Sequence, residues 1–209
     1  MNTKYIPICF EESRQAIPII YGVRILPTSV IDAGWLYLVA FMDWFSRYVL
    51  AWELDCILEV DFVLEALNKA LQVEKPEIVN SDQGSQFTSQ SYTEILLDKR
   101  VKVSMDGRGR AMDNIFTERL WRTVKYQEVY LNDYDNPREA RRGLARFFEK
   151  YNTYRPHQAL KNLTRSLRFI MRITRLMILS NPAFVILIFS YSTVKGKDSP
   201  LCNFSLADP

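Results

Sequence analysis

Apolar residues are distributed along this chain in two different rhythms. Trp35 to Phe41 (WLYLVAF) and Tyr48 to Leu54 (YVLAWEL) are nearly unbroken apolar runs. That is the pattern of strands buried on both faces. The link Asp43-Trp44-Phe45-Ser46-Arg47 between them is short enough for a hairpin. Tyr21 to Leu26 predicts a shorter strand, closed by a turn at Asp32-Ala33-Gly34. Three antiparallel strands therefore open the chain after an irregular segment, residues 1–20.

The rhythm then becomes helical. Phe62, Leu64, Ala66, Leu67, Ala70 and Leu71 share one face of a helix over Asp61 to Val73, with Asp61 as its cap. Glu77 to Asn80 predicts a short strand. Ser89 starts a second helix carrying Tyr92, Ile95 and Leu96, and Val101 to Ser104 is another short strand. Residues 105–111 are rich in glycine and arginine and predict a mobile loop. A third helix is expected from Ile115 to Tyr126, and a fourth from Pro137, a favoured first-turn residue, to Tyr154. The order βββαβαβαα makes an α/β domain with a mixed five-stranded sheet over residues 21–164.

Residues 165–209 form a tail outside that pattern. Its run Leu176 to Tyr191 is strongly apolar over 16 residues. A membrane span needs about 20 residues, and Asn181-Pro182 interrupts this one, so no membrane partner is expected. The tail reads as a docked helical pair or as sequence outside the ancestral frame.

Composition adds little until charge is divided along the chain. The 209 residues are 48% hydrophobic and 24% charged, enough for one domain with appendages. Cys9, Cys56 and Cys202 make neither a zinc spacing nor a disulfide framework, and no secretory signal opens the sequence. A reducing cytoplasmic setting follows. The net charge of +3 conceals a net of −8 over residues 1–98 and +11 over residues 99–175. A basic half suggests a polyanionic partner, because phosphate contacts release counterions.

The candidate chemistry lies in two carboxylates. Asp82, in Asn80-Ser81-Asp82-Gln83-Gly84, would project from a strand end, with Ser85, Gln86 and Thr88 as short polar neighbours. Thirty-five residues separate it from Glu118 on the third helix. Lys125 is two turns further along the same face, and Arg122 stands four residues from Glu118. Arg108 and Arg110 sit among glycines just before this helix, free to reach phosphates. Metal-dependent phosphoryl transfer needs such clustered carboxylates. Taken singly, Asp82-Gln83-Gly84 is an ordinary turn and Glu118 and Lys125 are ordinary solvated side chains. Their combination is more specific.

Four stretches give that combination a source: Gly34 to Arg47 (GWLYLVAFMDWFSR), Ser81 to Ser89 (SDQGSQFTS), Ser104 to Asn114 (SMDGRGRAMDN) and Tyr151 to Leu160 (YNTYRPHQAL). The segment from about Gly34 to Thr164 closely resembles the DDE integrase core of bacterial insertion-sequence transposases of the IS3 type. The resemblance implies an RNase H-like fold, magnesium or manganese ions, and DNA strand cleavage and transfer. It also implies Asp82 and Glu118 as catalytic metal ligands, with Lys125 against DNA. Transposon ends and target DNA would be the partners, a homo-oligomer the working form, and the bacterial nucleoid the place of action.

Three departures accompany the likeness. Arg24 occupies the place expected of the first carboxylate, in Tyr21-Gly22-Val23-Arg24-Ile25-Leu26. A cation there repels metal, so impaired catalysis and no bound ion are expected. The usual Thr-Pro after the last motif is Thr164-Arg165, and a helix-turn-helix region is expected to be absent. The alternatives are a non-catalytic DNA-binding module and an RNase H-like nuclease with another substrate.

Overall fold

The computed structural model describes residues 20–30, 34–105, 115–132 and 134–180. Its centre is a five-stranded sheet in the order β3-β2-β1-β4-β5. β1 (Ile20–Val30), β2 (Gly34–Asp43) and β3 (Val49–Asp55) form an antiparallel meander. β4 (Ile78–Ser81) joins β1 in parallel, and β5 (Lys102–Met105) joins β4 in parallel. The mixed α/β sheet is the one the apolar pattern predicts.

β1 continues four residues beyond the expected Leu26, through Pro27. The reason is one-sided pairing. β4 pairs only with Ile20 to Val23, while β2 pairs with Tyr21 to Val30. Past Val23 the strand has an edge on its β4 side, where proline is tolerated. β2 also departs from the expectation of burial throughout. Trp35 is 61% exposed, because pairing with β3 begins only at Tyr37. Residues 1–19, and the Ile31 to Ala33 part of the expected turn, lie outside the described residues.

Side chains alternate across the sheet and make two cores. Tyr21, Val23, Val39, Phe41 and Val79 meet α1 (Asp61–Val73) and α3 (Gln90–Asp98) on one face. Ile20, Leu38, Ala40, Met42 and Ile78 meet α4 (Ile115–Val124) and α5 (Pro137–Thr153) on the other. Asp61 does not cap α1. Val60 occupies the cap position without a side-chain hydrogen bond, and Asp61 lies inside the first turn. Ser89 does cap α3, accepting from the Tyr92 amide. A short helix unforeseen in the sequence, α2 (Ser85–Thr88), precedes it. Asn136 caps α5 by accepting from the Glu139 amide at 3.0 Å, and the Glu139 carboxylate accepts from the Asp135 amide at 3.1 Å. These two bonds, with Pro137 in the first turn, fix where the helix starts.

Two polar ties hold α5 to the sheet. Asn152 exchanges both amide groups with the Val49 backbone, at 3.0 Å each. The buried Glu53 carboxylate accepts from Arg141 of α5 at 2.7 Å and from Lys69 of α1. Burial raises the Glu53 pKa, but the hydrogen bonds from Lys69 and Arg141 outweigh it and leave the group below its ordinary value.

The chain divides into two compact units within α6 (Arg165–Ser180), the first ending at Phe169. Arg165, the first residue of this helix, donates to the Tyr151 and Arg155 carbonyls at 3.0 and 3.2 Å. Among the described residues, no helix is long and apolar enough to cross a membrane. Most of the apolar run from Leu176 to Tyr191 lies outside them.

Candidate active-site groove

Gly22 fixes the geometry of the site. It pairs with Asn80 across the β1–β4 junction. A Cβ at this position would run into the Trp44 ring and the Thr117 hydroxyl. The absence of a side chain therefore lets α4 lie directly on β1. Thr117 rests over that point and Glu118 is the next residue. Asp82 follows β4 two residues beyond Asn80. Both carboxylates are thus carried within two residues of one spot where β1, β4 and α4 meet.

The surroundings of that spot are unusually polar for a core. Trp44 Nε1, Thr117 Oγ1, Asn80 Oδ1, Ser81 Oγ and Trp121 Nε1 are all buried without a hydrogen-bond partner. Native interiors leave few such groups. Asp82 is partly buried, and its Oδ1 accepts from the Gly84 amide at 3.0 Å. This turn sets the carboxylate at the strand end. Its charge reaches the Tyr92 hydroxyl, which burial first and Asp82 second push well above the ordinary tyrosine range.

Glu118 is exposed and lines an open groove of about 520 Å³ with Ile25, Leu26, Trp121, Arg122, Lys125, Tyr126 and Tyr130. The structure thus brings Glu118, Arg122 and Lys125 together, as the sequence suggests. Asp82 is not part of the groove lining. It stands at the neighbouring strand end, one residue beyond the Val23–Ser81 pair. Continuing that register puts position 24 beside it, and Arg24 is the residue there. Arg108 and Arg110 lie outside the described residues.

Two groove residues escaped the sequence reading. The expected helix to Tyr126 ends at Val124 and passes into a π-helical turn, Lys125–Val129, closed by Tyr130 N–H on the Lys125 carbonyl at 2.8 Å. Such widened turns recur at functional sites. This one presents Tyr126 and Tyr130 edge to face, 5.4 Å apart and 63% and 60% exposed. The Arg122 guanidinium lies 5.9 Å from the Tyr126 ring. The signal was present in the spacing: Glu118, Arg122, Tyr126 and Tyr130 succeed one another in steps of four.

Two models of one description, integrase core domain, match residues 25–111 and 99–164. The chain belongs to the integrase core family. A transposase of insertion sequence element IS904 from Lactococcus lactis is 31% identical over 131 residues, covering 61% of this chain and 52% of the relative. The putative transposase InsK of IS150 from Escherichia coli is 30% identical over 132 residues, covering 62% and 47%. This integrase core thus spans about half the length of the curated relatives it matches. Among solved structures, the HTLV-2 integrase catalytic core domain in complex with magnesium superposes with a TM-score of 0.58 at 18% identity. It covers 72% of this chain and 97% of its own. A chain of the simian T-cell lymphotropic virus intasome in complex with PP2A regulatory subunit B56 gamma gives 0.63 at 17% identity, covering 78% and 59%. These likenesses establish the RNase H-like fold of this integrase core.

The family implies divalent ions, which the donor set must be able to hold. Two magnesium ions at a phosphoryl-transfer site call for several carboxylate oxygens around one point. Among the described residues no group of three or more His, Cys, Asp or Glu gathers in metal-binding proximity. Asp82 and Glu118 supply two carboxylates, one of them already bonded to its own turn, and position 24 is basic. The described residues do not match the ion pair.

Proposed function

We propose that this integrase core binds the DNA of an insertion sequence and derives from the machinery that cuts and joins it, with strand transfer impaired. The observation that carries the reading is the groove itself. Glu118, Arg122 and Lys125 occur in one open channel beside the Asp82 strand end, on the family's fold. The two cations suit a phosphate backbone. The exposed Tyr126 and Tyr130 rings suit unpaired bases, which stack on aromatic side chains at about 1–3 kcal/mol each. Duplex ends that fray would supply both. Transposon ends and target DNA are the proposed substrates, self-association the proposed working form, and the nucleoid the proposed setting.

Impairment follows from the donor count. Asp82 and Glu118 are the proposed ligands, and Arg24 in place of a third carboxylate weakens any ion they share. The experiment is strand transfer on terminal-repeat DNA with magnesium or manganese. No product is expected, whereas duplex binding should persist and fall steeply with salt. Product that disappears in Asp82→Ala would overturn the impairment. Absence of duplex binding at about 50 mM salt would remove the DNA reading altogether. A calorimetric titration of Arg24→Asp with manganese should show tighter binding than the unaltered chain. Equal affinity would detach position 24 from the site.

A further inference from the structure

A second constellation lies on the other flank of α4, outside the groove. Arg47, in the turn between β2 and β3, places its guanidinium 3.1 Å from the centroid of the Phe116 ring. Arg119 is one helical turn from Phe116 on the same flank. Arg165 stacks on Tyr151 at 3.7 Å, and Arg168 lies 4.4 Å from the Phe45 ring. Between these elements runs the segment Arg155-Pro156-His157, pinned by the bond from His157 N–H to the Leu163 carbonyl at 3.1 Å and by the Arg165 donation to the Arg155 carbonyl.

Rings shield the faces of these guanidinium groups and leave edges unsatisfied. Arg47 Nη1, Arg165 Nε and His157 Nδ1 are buried with no hydrogen-bond partner. The charges bearing on His157 are Arg165, Arg47, Arg155 and Arg119, all cationic. Burial first and then these four hold its pKa below the ordinary value. Burial likewise pulls Arg47 down to about 10, with Asp43 as the opposing carboxylate. That carboxylate is also engaged at home, accepting from the Ser46 amide at 2.8 Å and from the Ser46 hydroxyl. Arg165 is buried and Arg47 half-buried, whereas Arg119 is exposed and Arg155 donates to Gln127. Two like charges withdrawn from water with N–H groups unpaired, beside two more cations, are unfavourable unless an anion joins them.

We propose that Arg47, Arg119, Arg155 and Arg165, gathered around His157, form a phosphate-binding site that takes a backbone phosphate of DNA, separate from the Glu118 groove. Guanidinium forks match two phosphate oxygens at once, which is the geometry that unsatisfied arginine edges offer. The identity of the phosphate as DNA rests on the functional reading above, whereas the affinity for a phosphate anion does not. A backbone passing over α4 would meet the groove on one flank and this site on the other.

The chain contains one histidine, so its ring proton signals report on this site alone. The experiment is an NMR pH titration of His157 in the full chain, with chloride, with inorganic phosphate at equal ionic strength, and with a short DNA duplex. Phosphate and duplex should each raise the titration midpoint, because an anion beside the ring favours its charged form. Chloride should not. In Arg119→Gln and Arg155→Gln, checked for folding by circular dichroism, the midpoint should start higher and respond less to phosphate. The salt slope of duplex binding should fall by about 1 in each variant. A midpoint indifferent to phosphate and duplex overturns the site. A response to phosphate with none to a bound duplex overturns the DNA assignment and leaves a site for free phosphate. If the duplex does not bind at all, the functional reading fails, while the phosphate arm still decides the site.

Discussion

The two faces of the sheet bury similar amounts of apolar side chain and differ in what else they bury. Under α1 and α3, the face holding Val23, Phe41, Leu67 and Leu96 carries two unpaired polar atoms among the described residues, the Tyr92 hydroxyl and Ser81 Oγ. Under α4 and α5, Trp44, Thr117, Asn80 and Trp121 all leave polar atoms without partners around Gly22. The first face is what chain stability alone would select. The second sacrifices stability around the point that carries Asp82 and Glu118, as sites that bind or react commonly do. The contrast predicts that substitutions on the first face act on folding alone, and that those on the second separate folding from DNA binding.

The largest expected effect lies on the first face. Leu67 is fully buried between α1 and the sheet. Leu67→Ala should lower unfolding free energy by about 2–5 kcal/mol, read from urea denaturation. Groove binding of DNA should be unchanged at temperatures where the variant is folded. A loss below about 1 kcal/mol would mean that this face is not the stabilising core.

Next comes Gly22 on the second face. Gly22→Ala forces a methyl against Trp44 and Thr117, and overpacking of this kind costs about 1–3 kcal/mol. Combining it with Thr117→Ala should recover part of the loss, a coupling that a double-mutant cycle measures. Full additivity would contradict the close seating of α4 on β1. Because Glu118 follows Thr117, duplex affinity should also fall in Gly22→Ala, which Leu67→Ala should not reproduce.

Glu53 ties both faces at the sheet edge, and its effect depends on pH. Its folded-state pKa lies below the ordinary value, through Lys69 and Arg141. The stability it supplies is therefore present above the unfolded pKa, about 4.5, and is lost as pH falls through the folded pKa. Glu53→Gln should lower stability by about 1–2 kcal/mol at neutral pH, and the difference from the unaltered chain should vanish in acid. A difference that persists unchanged in acid would assign the effect to shape, not to charge.

What the sequence disclosed divides differently, by kind of signal. Elements whose signal is apolar periodicity were legible: β2, β3, α1 and α5 stand within about two residues of expectation. Such elements serve both faces, α1 the first and α5 the second. Features that periodicity does not encode were misjudged on both. The expected β1 stops at Leu26, because the one-sided pairing that extends it beyond Val23 is a property of the assembled sheet. Asp61 promised a cap, yet the backbone enters α1 one residue earlier, at Val60. The π-helical turn after Val124 has no composition signature, so Tyr126 and Tyr130 were missed as groove residues. Motif and spacing point to Asp82 and Glu118 as the proposed ligands, and the backbone carries both to the β1–β4–α4 junction. The arginines around His157 were read as general basic charge, because only folding brings residues 47, 119, 155 and 165 to one ring.

The smallest expected effect tests the larger of the two polar exceptions on the first face. The Tyr92 hydroxyl is fully buried, has no hydrogen-bond partner, and sits within the field of Asp82. Tyr92→Phe removes an unsatisfied group and should leave stability unchanged or raise it by up to about 1 kcal/mol at neutral pH. The pH dependence gives the sharper reading. The folded-state pKa of Tyr92 is raised, so the stability linked to its proton is complete below the unfolded value of about 10.0. It is lost progressively as pH rises above that value. The unaltered chain should therefore weaken in alkali more steeply than Tyr92→Phe, the remaining tyrosines being common to both. Parallel curves would mean that water reaches the hydroxyl. The first face would then be open beside Asp82, and the contrast between the two faces would end at Phe87 and Tyr92 instead of at the sheet.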